Sequence, residues 1–148
     1  MTSPTRISLR SRVVAVITAQ VTALGGRVYS SRSLPVPGNA VDGGTAVMPC
    51  AKIYSDRIVR ERRADDAFDV TVPVLVVVQV EHATTEEVES SLDTLGASVE
   101  TAVFADETLS DAVMAMVRHE AVRQIDSTPE RVSGTDVHQF TFRWTELW

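Results

Sequence analysis

The stretch Phe68–Glu81, FDVTVPVLVVVQVE, carries the sharpest pattern of the chain: Phe68, Val70, Val72, Val74, Val76, Val78 and Val80 fall on every second position. That period places side chains on one face of a strand. Valine is stiff at χ1 and suits a pleated surface, so such a run favours strand over helix. The opposite face begins polar at Asp69 and Thr71, turns apolar at Leu75 and Val77, and ends polar at Gln79 and Glu81. A strand half-exposed at its start and covered on both faces in its middle is expected. Pro73 lacks an N–H, which calls for a bulge, an edge or an unpaired side at its position.

The flanks supply partners for this strand. Leu9, Val13, Val16, Ile17, Val21 and Leu24 recur at threes and fours and predict an amphipathic helix over Ile7–Leu24, stopped by Gly25-Gly26. Arg27–Ser31 predicts a short strand. Residues Arg32–Ala46, with two prolines and three glycines, predict a long irregular loop that is mobile or ordered by a partner. Val47–Ser55 predicts a second strand, weakened at its start by Pro49, and the basic segment Arg57–Arg63 continues it. Asp65-Asp66 provides a turn, so a long hairpin of Val47–Arg63 against Phe68–Glu81 is expected. In this arrangement the lower half of the second arm, Phe68–Pro73, projects from the domain beside Arg57–Arg63, while Val74–Val80 anchors it.

Thr84 and Glu87 have capping-box spacing and open a second helix with one apolar stripe of Val88, Leu92, Leu95, Val99 and Val103. Gly96 inside that helix costs about 1 kcal/mol relative to alanine, which points to close packing on the first helix or the sheet. Leu109 anchors a turn-rich connection. In Val113–Ile125, Val113, Ala115 and Val117 alternate against Met114, Met116 and Arg118, which predicts a strand, with a helix as the competing reading. Asp136–Trp148 predicts a last strand with Phe140, Phe142 and Trp144 inward. The fold class is α+β: a mainly antiparallel sheet with a long β-hairpin and two helices packed on one face, in a single domain over residues 1–148.

Composition narrows the function without naming it. A chain of 148 residues, 44% hydrophobic and 23% charged, fits one ordinary globular domain. No apolar run reaches the roughly 18 residues of a membrane span, and the N-terminus lacks a secretory apolar segment, so synthesis in the cytoplasm is expected. The one cysteine, Cys50, excludes an intramolecular disulfide and a multi-cysteine zinc site. The net charge of −6 hides an asymmetry. Residues 1–63 hold ten basic and three acidic residues, whereas residues 64–148 hold four and seventeen. This marks either a polar assembly surface or oppositely charged elements lying side by side.

Candidate chemistry is sparse. His119-Glu120 opens HEAVR, which lacks the second histidine of the zinc-protease pattern HExxH. His82, His119 and His138 show no metal-ligand spacing with Cys50 or with one another, and Asp65, Asp66 and Asp69 read as a solvated turn. No phosphate-cradling glycine motif occurs. The expectation is therefore a protein with no catalytic residue, cofactor or metal site. The basic run Arg57, Arg60, Arg62 and Arg63 lacks the interleaved aromatics of a single-strand binding platform. Arg62 and Arg63 are expected to pair locally with the hairpin carboxylates, and Arg57 and Arg60 to pair between molecules.

Four stretches in fixed order carry a resemblance: ALGGRVYSSRSLPV; MPCAKIYSDRIVRERR leading into the valine strand; TTEEVESSLDTLGASVETAVFADETL; and HQFTFRW. Over nearly its whole length the chain resembles the tail terminator (tail completion, minor tail protein U-like) proteins of long-tailed bacteriophages. A long Gly/Pro loop at 37–46 departs from the pattern. The resemblance implies a structural virion protein at the head-proximal end of the tail. Such proteins form a hexameric ring that stops tube polymerisation and offers a surface to the head. The implied partners are further copies of the chain, the major tail tube protein, a head–tail connector or neck protein, and the tape measure protein, with no membrane and no sequence-specific nucleic acid. On this reading Arg57, Arg60, Arg62 and Arg63 form one side of the subunit interface, and Glu86, Glu87 and Glu89 of a neighbour form the other. The loop Pro35, Val36, Pro37, Gly38, Asn39, Val41 and Asp42 is expected to touch the tube or connector. Two alternatives stay open: a head-closure or neck connector, and a small ligand-binding or enzymatic α+β domain, which would need a deep pocket with convergent polar groups.

Overall fold

The computed structural model describes residues 6–30, 41–42, 45–46, 48–55, 57–106, 109 and 114–147. Its elements are, in chain order, α1 (Arg6–Gln20), a 3-10 turn (Thr22–Leu24), β1 (Val28–Tyr29), β2 (Val41–Asp42), β3 (Thr45–Ala46), β4 (Cys50–Ser55), β5 (Val59–Ala64), β6 (Ala67–His82), α2 (Thr85–Ala105), β7 (Met114–Ser127) and β8 (Val132–Leu147). One six-stranded sheet has the order β1-β4-β6-β8-β7, with β5 also on β6. All its pairings are antiparallel except that of β1 with β4. The fold is α+β with both helices packed against the sheet.

The alternating valines dictate this layout. Val70, Val72, Val74, Val76, Val78 and Val80 are buried, and they join Ala51, Ile53, Phe140, Phe142 and Trp144 in one core. The helices cover the same face: α1 adds Leu9, Val13 and Ile17, and α2 adds Val88, Leu92, Leu95, Val99 and Val103. Each such side chain contributes about 1.5–3 kcal/mol through removal of apolar surface from water. On the far face Val77 is 8% exposed, as expected for a strand covered on both sides in its middle. The capping residue Thr84 accepts the Glu87 N–H at 3.2 Å, which fixes the start of α2.

The hairpin forms about the turn Asp65-Asp66, with its first arm split in two. β4 runs opposite β6 up to Ser55↔Val74, and β5 resumes at Val59↔Thr71. Val72 and Pro73 lie at the split, where the proline has no N–H to offer a neighbour. The projection expected for Phe68–Pro73 is corrected. β8 pairs with all of β6, from Ala67↔Leu147 to His82↔Val132, and Val70 and Val72 are fully buried. The inward aromatics Phe142 and Trp144 sit directly opposite them and hold this half in the domain.

Three boundaries also differ from expectation. The first α-helix ends at Gln20, and a 3-10 turn carries the chain to Gly25 and Gly26, both in the left-handed region at φ 59° and 77°. The second strand starts at Cys50 rather than Val47, after a cis Met48–Pro49 bond. Within the expected irregular loop, Val41–Asp42 and Thr45–Ala46 pair as a short antiparallel ladder.

The alternation within Val113–Ile125 predicts a strand, and β7 forms over Met114–Ser127, but with a bulge at Val117 between Met116↔Phe142 and Arg118↔Thr141. The extra residue reverses which positions face inward. Met114 and Met116 lie on the core side before it, opposite Trp144 and Phe142; His119, Ala121 and Arg123 do so after it, opposite Phe140, His138 and Asp136. Val117 itself is 54% exposed.

Candidate functional site

The four arginines singled out by the sequence lie at one end of the molecule, on β5 and just before it, and all are exposed. Arg62 Nη1 donates to the Asp65 carbonyl at 3.1 Å, and its guanidinium lies 4.9 Å over the Phe68 ring. Arg63 Nη1 lies 3.8 Å from Asp69 Oδ1 and 3.4 Å from Thr145 Oγ1. Arg60 Nε donates to Glu146 Oε2 at 3.3 Å. Arg57 makes no ion pair among the described residues. Arg63 thus faces a hairpin carboxylate as expected, whereas Arg62 bonds a backbone carbonyl and an aromatic face rather than a carboxylate, and Arg60, expected to pair between molecules, has a local partner in Glu146. An exposed pair of this kind is worth at most about 1 kcal/mol, so it can exchange partners readily.

Asp69 organises the base of this arm. Its carboxylate accepts from Thr145 Oγ1 at 3.0 Å and from Arg143 Nη2 at 3.1 Å. The hydroxyl bond chiefly, then the Arg143 bond and the Arg63 and Arg143 charges, hold its carboxyl below the usual aspartate range.

Glu86, Glu87 and Glu89 are exposed in the opening turns of α2, beside the far end of β6. Glu87 accepts from the Thr84 hydroxyl at 3.1 Å and lies 3.8 Å from His82 Nδ1. Glu86 and Glu87 line an open cleft with Ser90, Ser91 and Thr94. The sixteen residues of β6 separate this acidic end from the hairpin tip, about 50 Å along an extended strand. Within one subunit, then, the basic and acidic sets do not meet. Of the expected contact loop, Val41 and Asp42 belong to β2, while Pro35, Val36, Pro37, Gly38 and Asn39 lie outside the described residues.

A second polar site, between α2 and the β7–β8 pair, was not foreseen from the sequence. Asp136, 4% exposed, accepts two hydrogen bonds from Arg123, Nε to Oδ1 at 2.7 Å and Nη2 to Oδ2 at 2.9 Å. Arg123 Nη1 also reaches Asp93 Oδ1 on α2 at 2.9 Å. These bonds push the Arg123 pKa up, and with it the stability of the charged pair.

Next to this clamp, His119 Nε2 and His138 Nδ1 are 3.2 Å apart, and Glu100 Oε1 is 4.0 and 3.9 Å from them. His119 packs between Phe140, stacked at 4.6 Å, and the edge-on Phe104 at 5.4 Å. His138 is 2% exposed, and burial pushes its pKa down, aided by His119 and opposed by the charges of Asp136 and Glu100. Gly96 lets α2 approach the ring: a Cβ there would lie 3.3 Å from His138 Cε1. The close packing expected of Gly96 is thus against β8. His119 and His138 show no metal-ligand spacing in the sequence, and strict alternation along β7 would place His119 on the face opposite Met114 and Met116. The bulge at Val117 brings it round to His138, and sequence spacing carried no signal of that bulge.

No protein-family model matches the chain, and no curated protein matches it. Among solved structures, the fold resembles a chain described as "Virion of native gene transfer agent (GTA) particle", with a TM-score of 0.50 and 16% sequence identity. The match covers 88% of this chain and 91% of that one. At this identity the likeness is one of fold: this α+β arrangement is similar to that of a virion protein.

Proposed function

We propose that the chain is a structural protein of a phage-type virion and, within that class, a tail terminator that closes the tail tube as a ring of six. The observation that carries this reading is the placement of charge. Exposed arginines crowd the hairpin end of β6, and exposed glutamates line a cleft at its other end. A ring built head to tail needs two different, complementary patches on each subunit, far enough apart not to satisfy each other. The opposite ends of a long strand meet that need. In the proposed ring, Arg57 and Arg60 enter the cleft beside Glu86, Glu87 and Glu89 of the next subunit, while Arg62 and Arg63 hold the tip in shape. Residues Pro35–Asp42 contact the tube or the connector. The sequence order shared with tail terminators and the virion fold likeness support the same reading, which assigns the chain no catalytic step.

The test is capping. The purified chain, added to polymerising tail tube protein of the same phage, is expected to stop elongation and to appear as extra density at one tube end by electron microscopy. Unchanged elongation together with binding to the head connector would instead mark a neck protein and overturn the assignment.

A further inference from the structure

Glu100 of α2, His119 of β7 and His138 of β8 each direct one ligand atom to a common point, all within 4.8 Å of one another. We propose that these three side chains bind a divalent ion of the zinc class, through Glu100 Oε1, His119 Nε2 and His138 Nδ1.

Distances carry the first part of the argument. A tetrahedral zinc ion with bonds of about 2.0–2.1 Å holds two ring nitrogens about 3.3 Å apart. The observed separation of His119 Nε2 and His138 Nδ1 is 3.2 Å. Glu100 Oε1, at 3.9 and 4.0 Å from them, must close by about 0.6 Å to ligate at the same bond lengths. Its side chain is 39% exposed, so it has room to do so. Two imidazoles and one carboxylate form a borderline donor set that suits zinc better than calcium or magnesium.

The surroundings supply what a metal-bound histidine needs. Ligation through Nδ1 requires the ring proton to sit on Nε2. His138 Nε2 is fully buried without a hydrogen-bond partner, and the carboxylate facing it is Asp136, at 3.9 Å. A histidine that ligates with one nitrogen and turns the other toward a carboxylate is the usual metal-site arrangement. Asp136 is itself fixed by Arg123, which Asp93 braces from α2. Glu100 and His138 border a cleft with Ala121 and Arg123, from which water could complete the coordination of the ion. The site would tie α2 to both strands of the β7–β8 pair within one subunit, independently of any ring.

A shared proton between the two rings accounts for the 3.2 Å distance equally well, so the experiment must separate proton from metal. The full chain, freed of metal with a chelator, is titrated with Zn2+ by calorimetry at neutral pH, and its melting temperature is followed. Buried His138 is left intact; the partly exposed ligands are changed instead, as His119→Gln and Glu100→Gln, with His82→Gln as the control. One Zn2+ per chain is expected, with a rise in melting temperature. His119→Gln and Glu100→Gln should each weaken binding at least tenfold and reduce that rise, while His82→Gln leaves both unchanged. Absence of saturable Zn2+ binding would overturn the site, as would an affinity in folded His119→Gln within twofold of the parent chain.

Discussion

Arg123 grips the buried carboxylate of Asp136 with two hydrogen bonds of 2.7 and 2.9 Å, and with its third nitrogen it holds Asp93 on α2. One side chain thereby ties the edge strand β7 to β8 and to the helix above. Removing it leaves the buried Asp136 side chain without the guanidinium that satisfies both its oxygens. Loss of one partner of a buried pair costs about 3–5 kcal/mol, and the one-third exposure of the Arg123 side chain places this case at the lower end. Arg123→Ala is therefore expected to lower stability by about 3 kcal/mol in urea unfolding, and Arg123→Ala with Asp136→Asn by less. Equal losses in the single and double variants would contradict this account of the clamp.

At Gly134 of β8 the side chains of α2 close directly over the backbone. A Cβ there would collide with Val88 Cγ1 and lie 2.8 Å from Leu92 Cδ1. Both are core side chains with little freedom to move. Gly134→Ala is expected to cost about 1–3 kcal/mol by overpacking, read as a drop in melting temperature. A double variant, Gly134→Ala with Val88→Ala, that loses less than the sum of the two single losses would identify the clash as the cause.

The pH dependence of stability should carry the mark of Asp69. Its folded pKa lies below the unfolded value, through the Thr145 hydroxyl first and then the Arg143 and Arg63 guanidinium groups. The stabilisation is then complete above the ordinary aspartate value of about 4 and is lost as pH falls through the lower folded value. Urea midpoints measured from about pH 5 down to about pH 2 should fall in the parent chain, and fall less in Asp69→Asn. Parallel profiles for the two would exclude Asp69 as a contributor.

Most of the scaffold could be read from residue spacing, because each element's period agrees with the face it buries. The alternating valines, the Val88–Val103 stripe and the Phe140, Phe142, Trp144 alternation all point to the sheet and helices observed. Thr84 and Glu87 gave the start of α2 for a local reason, since a cap needs only neighbours in sequence. The misreadings share a different cause. That β8 runs beside the whole of β6 is a choice of partner between residues fifty to eighty positions apart, and no local pattern records it. The polar site was hidden by one extra residue at Val117, which exchanges the two faces of β7 and brings His119 to His138. The charge asymmetry was visible in the sequence, but its meaning depended on β6, whose length sets the two patches apart.

The proposed head-to-tail ring, joined by arginine and glutamate patches, is tested by native mass spectrometry of the chain mixed with its tail tube protein. Six copies per assembly are expected for the parent chain. Arg57→Glu with Arg60→Glu should give a folded monomer that joins no ring, and adding Glu86→Arg with Glu87→Arg to the same chain should recover part of the assembly. A parent chain that stays monomeric beside the tube, or a ring that Arg57→Glu with Arg60→Glu leaves intact, would contradict the account.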